Sequence, residues 1–223
     1  MKKLYFLFFG APGSGKGTQA QVLGDLLNFP VISTGDLLRQ EIKAGTRFGK
    51  RIEKHLTDGA LASDADVQNL LNKRLVKKDI KNGALFDGYP RRISQQKYLI
   101  HKLNVLSKYH EKTWAVLIDV SDNEVLKRLS GRRACVCGQI YHIKFKPSKK
   151  SGKCDECGKK LFVRSDDNPE VIKNRLKLYH EQNRPLLKYW ADKGRLIVVN
   201  GEQSIDMVEK DLLKQLIKTG LLR

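Results

Sequence analysis

The residues that most narrow the possible folds are Gly10-Ala11-Pro12-Gly13-Ser14-Gly15-Lys16-Gly17-Thr18, set directly behind a short apolar run at 4–9. Gly10, Gly15 and Lys16 satisfy G-x-x-x-x-G-K. In such a loop the glycines let backbone N–H groups close around phosphate oxygens, and the helix that follows adds positive potential. The lysine supplies a mobile cation for the β- and γ-phosphates. The loop therefore predicts a buried strand over 4–9 turning into helix, and it makes Gly13, Ser14, Gly15, Lys16, Gly17 and Thr18 candidate phosphate-binding residues. Gly17 stands where the general pattern has a Ser or Thr that meets magnesium, which argues against direct ligation by a loop hydroxyl.

The rest of the chain agrees with an α/β reading. Apolar runs rich in β-branched and aromatic residues recur at 29–33, 84–87, 114–120 and 195–199. They are nearly continuous in hydrophobicity, as expected of strands covered on both faces, and segments with helical spacing (Leu70, Leu71, Arg74, Leu75, Lys78) separate them. This alternation predicts a five-stranded parallel sheet flanked by helices. Lys2-Lys3 before the first run has the look of a secretory leader, but the run falls short of the roughly 7–15 apolar residues a leader needs. Nothing approaches the roughly 20 residues of a membrane span. A soluble cytoplasmic protein without a membrane partner is expected.

One segment breaks the alternation. Residues 132–165 are poor in aliphatics and rich in lysine, and they hold all four cysteines, as Cys135-x-Cys137 and Cys154-x-x-Cys157. Two close cysteine pairs in a chain without secretory features read as a four-thiolate structural zinc site rather than as disulfides. The segment reads as an insertion, leaving 1–131 and 166–223 as the core. Asn168-Pro169 then restarts helix as N-cap and first helical residue. The chain carries 43 Lys+Arg against 24 Asp+Glu, a net +19, and nearly half of that excess lies between Arg128 and Ser165. Such a surplus predicts an anionic partner: nucleic acid, a membrane surface or a phosphorylated small molecule.

A second signature chooses among these. Asp87-Gly88-Tyr89-Pro90-Arg91, with Gln95 four residues further on, ends the third predicted strand and matches D-G-[FYI]-P-R-x-x-x-[NQ] at every position. Together with GAPGSGKGTQ, the run Val31-Ile32-Ser33-Thr34-Gly35-Asp36-Leu37-Leu38-Arg39, Gly131-Arg132-Arg133, Tyr141-His142, Arg164-x-Asp166-Asp167 and Arg175-Leu176, it resembles the adenylate kinase family, long-lid type, in family order over nearly the whole chain. The resemblance implies a P-loop kinase fold whose 132–165 insertion is a zinc-ribbon-like lid and whose 33–62 region is a second mobile cover over the monophosphate.

It also implies the reaction ATP + AMP = 2 ADP, with magnesium accompanying ATP. Lys16, Arg91, Arg132, Arg164 and Arg175 would act on the transferred phosphoryl group. ATP would meet Gly13–Thr18 of the loop, Arg132, Ile140, Tyr141 and Gln203. AMP would meet Thr34, Arg39, Ala60, Leu61, Ala62, Gly88, Tyr89, Pro90, Arg91, Gln95, Arg164 and Arg175. Asp87 would reach magnesium through water. Family lids that hold zinc have C-x-x-C where this chain has Cys135-x-Cys137, a narrower bite, with His142 the natural substitute ligand. A monomer is expected.

The chemistry suits these residues independently of the resemblance. The acceptor is an already ionised phosphate oxygen, so no general base is needed; the difficulty is bringing two polyanions into line and stabilising the charge in flight. Guanidinium forks match phosphate oxygens and keep their charge, and Gln95 offers the donor and acceptor that an adenine edge requires. The competing expectations are a zinc-ribbon nucleic-acid binder, for which the basic segment has too few interleaved aromatics, and a related monophosphate kinase acting on another base.

Overall fold

The computed structural model describes residues 3–57, 62–107 and 111–222. The elements are β1 (Lys3–Phe9), α1 (Lys16–Leu27), β2 (Val31–Ser33), α2 (Thr34–Lys43), α3 (Arg47–Thr57), α4 (Asp64–Leu75), β3 (Gly83–Asp87), α5 (Ile93–Leu106), β4 (Glu111–Asp119), α6 (Asp122–Ser130), β5 (Arg132–Ala134), β6 (Ile140–His142), α7 (Pro169–Asp192), β7 (Leu196–Asn200) and α8 (Ile205–Lys218). The five strands read from the sequence form one parallel sheet in the order β2-β3-β1-β4-β7.

Side chains alternate across a strand, and this explains why β1 is apolar throughout. Tyr5, Leu7 and Phe9 enter one core, while Phe6 and Phe8 enter another on the opposite face. β4 divides in the same way, Ala115 and Leu117 to the first and Val116 and Ile118 to the second. The first layer is closed by Ile52, Leu71, Leu99 and the C-terminal half of α7 with Leu186 and Trp190. The second is closed by Leu23, Val125, Leu212 and the N-terminal half of α7 with Ile172 and Leu176. Each large side chain fully buried in this way contributes about 1.5–3 kcal/mol. α7 thus binds both layers into one body.

Boundaries differ from the sequence reading in small, explicable ways. β2 begins at Val31 because the Phe29 N–H is taken by the Gly24 carbonyl at 2.9 Å, closing the end of α1. Lys78 falls outside α4, in a separate 3-10 turn at Lys78–Ile80. Asn168 caps α7 as expected, its side chain accepting from the Glu170 N–H.

Beyond α6 the chain leaves the sheet. β5 and β6 pair antiparallel with Arg132 opposite His142 and Ala134 opposite Ile140, and Ala134 and Phe162 exchange two backbone hydrogen bonds at 2.8 and 2.9 Å. This ribbon has its own small core of Cys135, Tyr141, Cys154 and Leu161. It meets the α2–α3 region directly: Lys43 Nζ donates to the Val136 carbonyl at 3.4 Å, and α3 packs against the 3-10 turn at Ser165–Asp167. Among the described residues, no helix is long and apolar enough to cross a membrane.

Candidate active site

The five strands of the parallel sheet point their carboxyl ends to one edge, the place where doubly wound folds bind ligands. The loop leaving β1 there ends at Gly15, which caps α1 with φ of 91°, a conformation open to glycine and costly for other residues. Ser14 is buried, and its Oγ accepts from the Lys16 N–H at 3.4 Å. Lys16 is the first residue of α1 and folds over the loop, Nζ donating to the Ala11 carbonyl at 3.2 Å. Thr18 lies within the first turn and is exposed.

Asp87 ends β3 in register with Phe8 and Ser33, so its carboxylate stands beside the loop. A Cβ added to Gly17 would come within 3.0 Å of Asp87 Oδ2, and Asp87 Oδ1 is buried without a hydrogen-bond partner. A buried carboxylate oxygen left open next to a phosphate loop suits a hydrated divalent cation.

The five arginines chosen from the sequence do converge. Burial, then the Arg91, Arg175 and Arg132 charges, pull Lys16 down to about 8 against the opposing pull of Asp87. Burial and Arg175 take Arg91 to about 10, and burial with Arg39 and Arg132 does the same to Arg164. Arg175 is likewise lowered, chiefly by burial. Cations that depress one another in this way form a positive concavity built for an anion.

Acidic partners hold the arginines in place. Arg132 donates through Nε and Nη2 to the buried Asp167, the Nε bond being 2.8 Å. Arg175 Nη1 meets Asp166 Oδ2 at 2.8 Å, and Arg39 pairs with Asp36. Arg91 Nε donates to the Gly88 carbonyl at 2.8 Å, and that same carbonyl accepts from Thr34 Oγ1 at 3.2 Å. The turn of Gly88, Tyr89 and Pro90, its Tyr89–Pro90 peptide cis, thereby links the start of α2 to Arg91.

Other candidates are placed differently from one another. Gln95 is buried behind this turn, with Ala62, also buried, preceding α4; Ala60 and Leu61 lie outside the described residues. Tyr89 turns its ring into the core. Ile140 and Tyr141 are on the ribbon, and the Tyr141 hydroxyl accepts from the Asp155 N–H at 2.8 Å, so that side chain faces the cysteines. Gln203 Nε2 folds back on the Asn200 carbonyl and Asp211, at 3.0 and 2.8 Å.

The structure adds residues that the motifs did not single out. Arg128 braces the phosphate loop, Nη1 donating to the Ser14 carbonyl at 3.3 Å and Nη2 to the Gly201 carbonyl at 2.8 Å. Its one sequence signal is its place one helical turn before Gly131-Arg132. The partner acids Asp36, Asp166 and Asp167 carry no signal of pairing beyond the motifs that contain them.

All four cysteine sulfurs lie within 4.8 Å of one another, with Cys135 to Cys157 at 3.4 Å and Cys137 to Cys154 at 3.6 Å. Four sulfurs about 2.3 Å from a central zinc would stand about 3.8 Å apart, so the donor set fits a tetrahedral metal. The narrow Cys135-x-Cys137 bite does deliver both sulfurs. His142 is not in the cluster: its Nδ1 accepts from the Lys144 and Phe145 N–H groups, and its ring packs on Phe145.

A Gly-rich loop, a carboxylate at the end of the neighbouring strand and a ring of arginines at the carboxyl edge of a parallel sheet define a P-loop phosphotransferase. Residues 8–195 match the family described as adenylate kinase. The adenylate kinase of Methanothrix thermoacetophila is 43% identical over 95% of this chain and 98% of its own length. Those of Caldicellulosiruptor bescii and Lachnospira eligens are 42% and 43% identical, over 94% and 93% of this chain and 97% of their own lengths. The chain belongs to the adenylate kinase family, whose reaction is ATP + AMP = 2 ADP.

Proposed function

We propose that this chain transfers the γ-phosphoryl group of ATP to AMP by positioning and charge stabilisation alone, with Lys16, Arg91, Arg132, Arg164 and Arg175 as the groups that act on the phosphates. The observation that carries this reading is that Lys16, Arg91, Arg164 and Arg175 are each buried and each also lowered by neighbouring cations, Arg39 and Arg132 among them, beside the phosphate loop. An ionised acceptor oxygen needs fixed positive charge and exclusion of water, and those are what the site offers.

In this reading ATP lies along Gly13–Thr18 with Arg132 on its phosphates, and the backbone of Ile140 and Tyr141 and the Gln203 loop border its base. AMP lies between Thr34, Arg39, residues 60–62 and Gly88–Arg91, with its base at Gln95 and its phosphate at Arg39, Arg91, Arg164 and Arg175. The ion pairs to Asp36, Asp167 and Asp166 keep Arg39, Arg132 and Arg175 aimed. Residues 132–165 act as one cover and 33–62 as the other, and their contact at Lys43 and Val136 supports closure over both nucleotides.

Magnesium, when bound with ATP, neutralises charge on the β- and γ-phosphates; Asp87 would hold it through water, using the oxygen that has no protein partner. Zinc would be held by Cys135, Cys137, Cys154 and Cys157 and would be structural, since four thiolates leave no position open for substrate. Thiolates that hold a metal need a reducing compartment, which supports a cytoplasmic location. A monomer fits a site built wholly from one chain.

The test is a coupled assay of ADP formation from ATP with AMP, GMP, CMP or UMP as acceptor. AMP is expected to give the highest kcat/KM by at least tenfold; another acceptor exceeding it would overturn the assignment of the monophosphate site.

A further inference from the structure

Gln95 is buried, and half of its hydrogen-bonding capacity is already taken. Oε1 accepts from the Arg91 N–H at 2.7 Å, and Nε2 donates to Asp64 Oδ1 at 2.9 Å. The Arg91 N–H can only donate, and an ionised carboxylate can only accept. Together they fix which end of the amide is oxygen and which is nitrogen, an orientation that a free glutamine would leave open.

Asp64 is equipped to stay an acceptor. It is the first residue of α4, where negative charge is favoured. Arg92 Nη1 meets its Oδ1 at 2.6 Å, and the Ser94 hydroxyl donates to its Oδ2. Although burial works against the charge, the bonds from Ser94, Arg92 and Gln95 hold the carboxyl below its ordinary range.

The orientation matters because purine edges are opposites. A glutamine amide has two lone pairs and two N–H groups; here one of each remains. Adenine presents the N6 amino donor beside the N1 acceptor, which matches an oxygen and an N–H in the order fixed here. Hypoxanthine and guanine present an O6 acceptor beside an N1–H donor, and they match the same amide only after it is flipped. A flip in this chain would set Oε1 against a carboxylate and Nε2 against an N–H, leaving both buried groups unsatisfied.

We propose that Asp64 is a positioning residue for base selectivity: by locking the Gln95 amide against Arg91 N–H, it makes the acceptor site read a 6-amino purine and reject a 6-oxo purine. The proposal rests on the reading that Gln95 faces the acceptor base. Asp64 itself touches no substrate.

The experiment measures kcat/KM for AMP and for IMP, with ATP as donor, in the wild-type chain and in Asp64→Ala, Asp64→Asn and Gln95→Ala. Alanine at 64 removes the acceptor from Gln95 Nε2 and leaves the amide held by the Arg91 N–H alone, so D64A is expected to narrow the AMP-to-IMP preference by about tenfold. Arg92 and Gln95 donate to the same oxygen, so asparagine keeps an acceptor there and D64N is expected to retain the preference. Should D64A fail to fold, Asp64→Ser, whose shorter side chain withdraws the acceptor, makes the same comparison. An unchanged preference in D64A or D64S, or equal losses for both acceptors, overturns the lock. If Q95A keeps the wild-type preference, the placement of the base at Gln95 fails instead; if Q95A loses it while D64A keeps it, only the lock fails.

Discussion

Gly17 and Asp87 fit together because Gly17 has no side chain: a Cβ there would stand 3.0 Å from Asp87 Oδ2. The serine or threonine of the general loop pattern would crowd the carboxylate at the end of β3, so the glycine and the carboxylate belong together. The loop hydroxyl is absent because the strand carboxylate occupies its space. Gly17→Ser is expected to displace Asp87, weaken the response of turnover to magnesium and lower kcat by about tenfold or more. Magnesium titration of initial rates checks this; an unchanged titration would separate Asp87 from the cation.

Lys16 gives a pH dependence with a definite sign. With its site value near 8, it is a full cation only below that pH. kcat/KM for ATP is expected to fall by about tenfold per pH unit above 8, and Lys16→Met is expected to lose at least about 100-fold below pH 8 and to lack this fall. Stability moves the other way. The folded value lies below the unfolded 10.5, so the folded chain binds fewer protons between 8 and 10.5, and this lysine's contribution to stability rises across that window. Urea unfolding as a function of pH should show the rise in the wild type and its loss in K16M.

Arg132 cannot be removed without consequence for folding. Its partner Asp167 has a fully buried side chain, and Arg132→Ala takes away the guanidinium that donates to both of its oxygens. The expected outcome is a loss of about 100-fold or more in turnover together with about 3 kcal/mol of stability. The double variant Arg132→Ala/Asp167→Asn is expected to regain most of the stability and none of the activity, which urea unfolding and the coupled assay distinguish.

Metal analysis is expected to find one zinc per chain. Removing it with a chelator should speed hydrogen exchange at the Ala134 and Phe162 amides, which bond to each other across the ribbon, and leave the β1 amides protected. Cys137→Ser is expected to reproduce the effect, because the metal then has three thiolates. Ordered amides after complete removal would assign the ribbon's stability to Tyr141 and Leu161 instead.

The sheet was legible in the sequence because strands covered on both faces must be apolar at every position, and β1 with its Tyr5/Phe6 division is the clearest case. The phosphate loop and the Asp87 turn were legible because their chemistry sits in contiguous residues. What could not be read was pairing across the fold. Nothing local says that Arg132 will meet Asp167, that Arg128 will reach the Ser14 and Gly201 carbonyls, or that Asp64 will meet Gln95 thirty-one positions away. The last exists only after α4 and α5 have been brought together, and the others only after α6 and the ribbon have met the loops at the sheet edge. The Tyr141 hydroxyl likewise meets Cys154 and the Asp155 N–H, a pairing that no local pattern announces.

In the proposed reading of 33–62 and 132–165 as covers, the bond from Lys43 to the Val136 carbonyl joins the two to each other. A door whose leaves are latched together opens as a pair. The reaction leaves the same molecule, ADP, under each leaf, so parting them once would release both products in a single event and reset the site for two unlike substrates. The timing of release would then belong to neither nucleotide alone, and a change at Lys43, far from any phosphate, would be felt in how quickly the enzyme returns to its starting state.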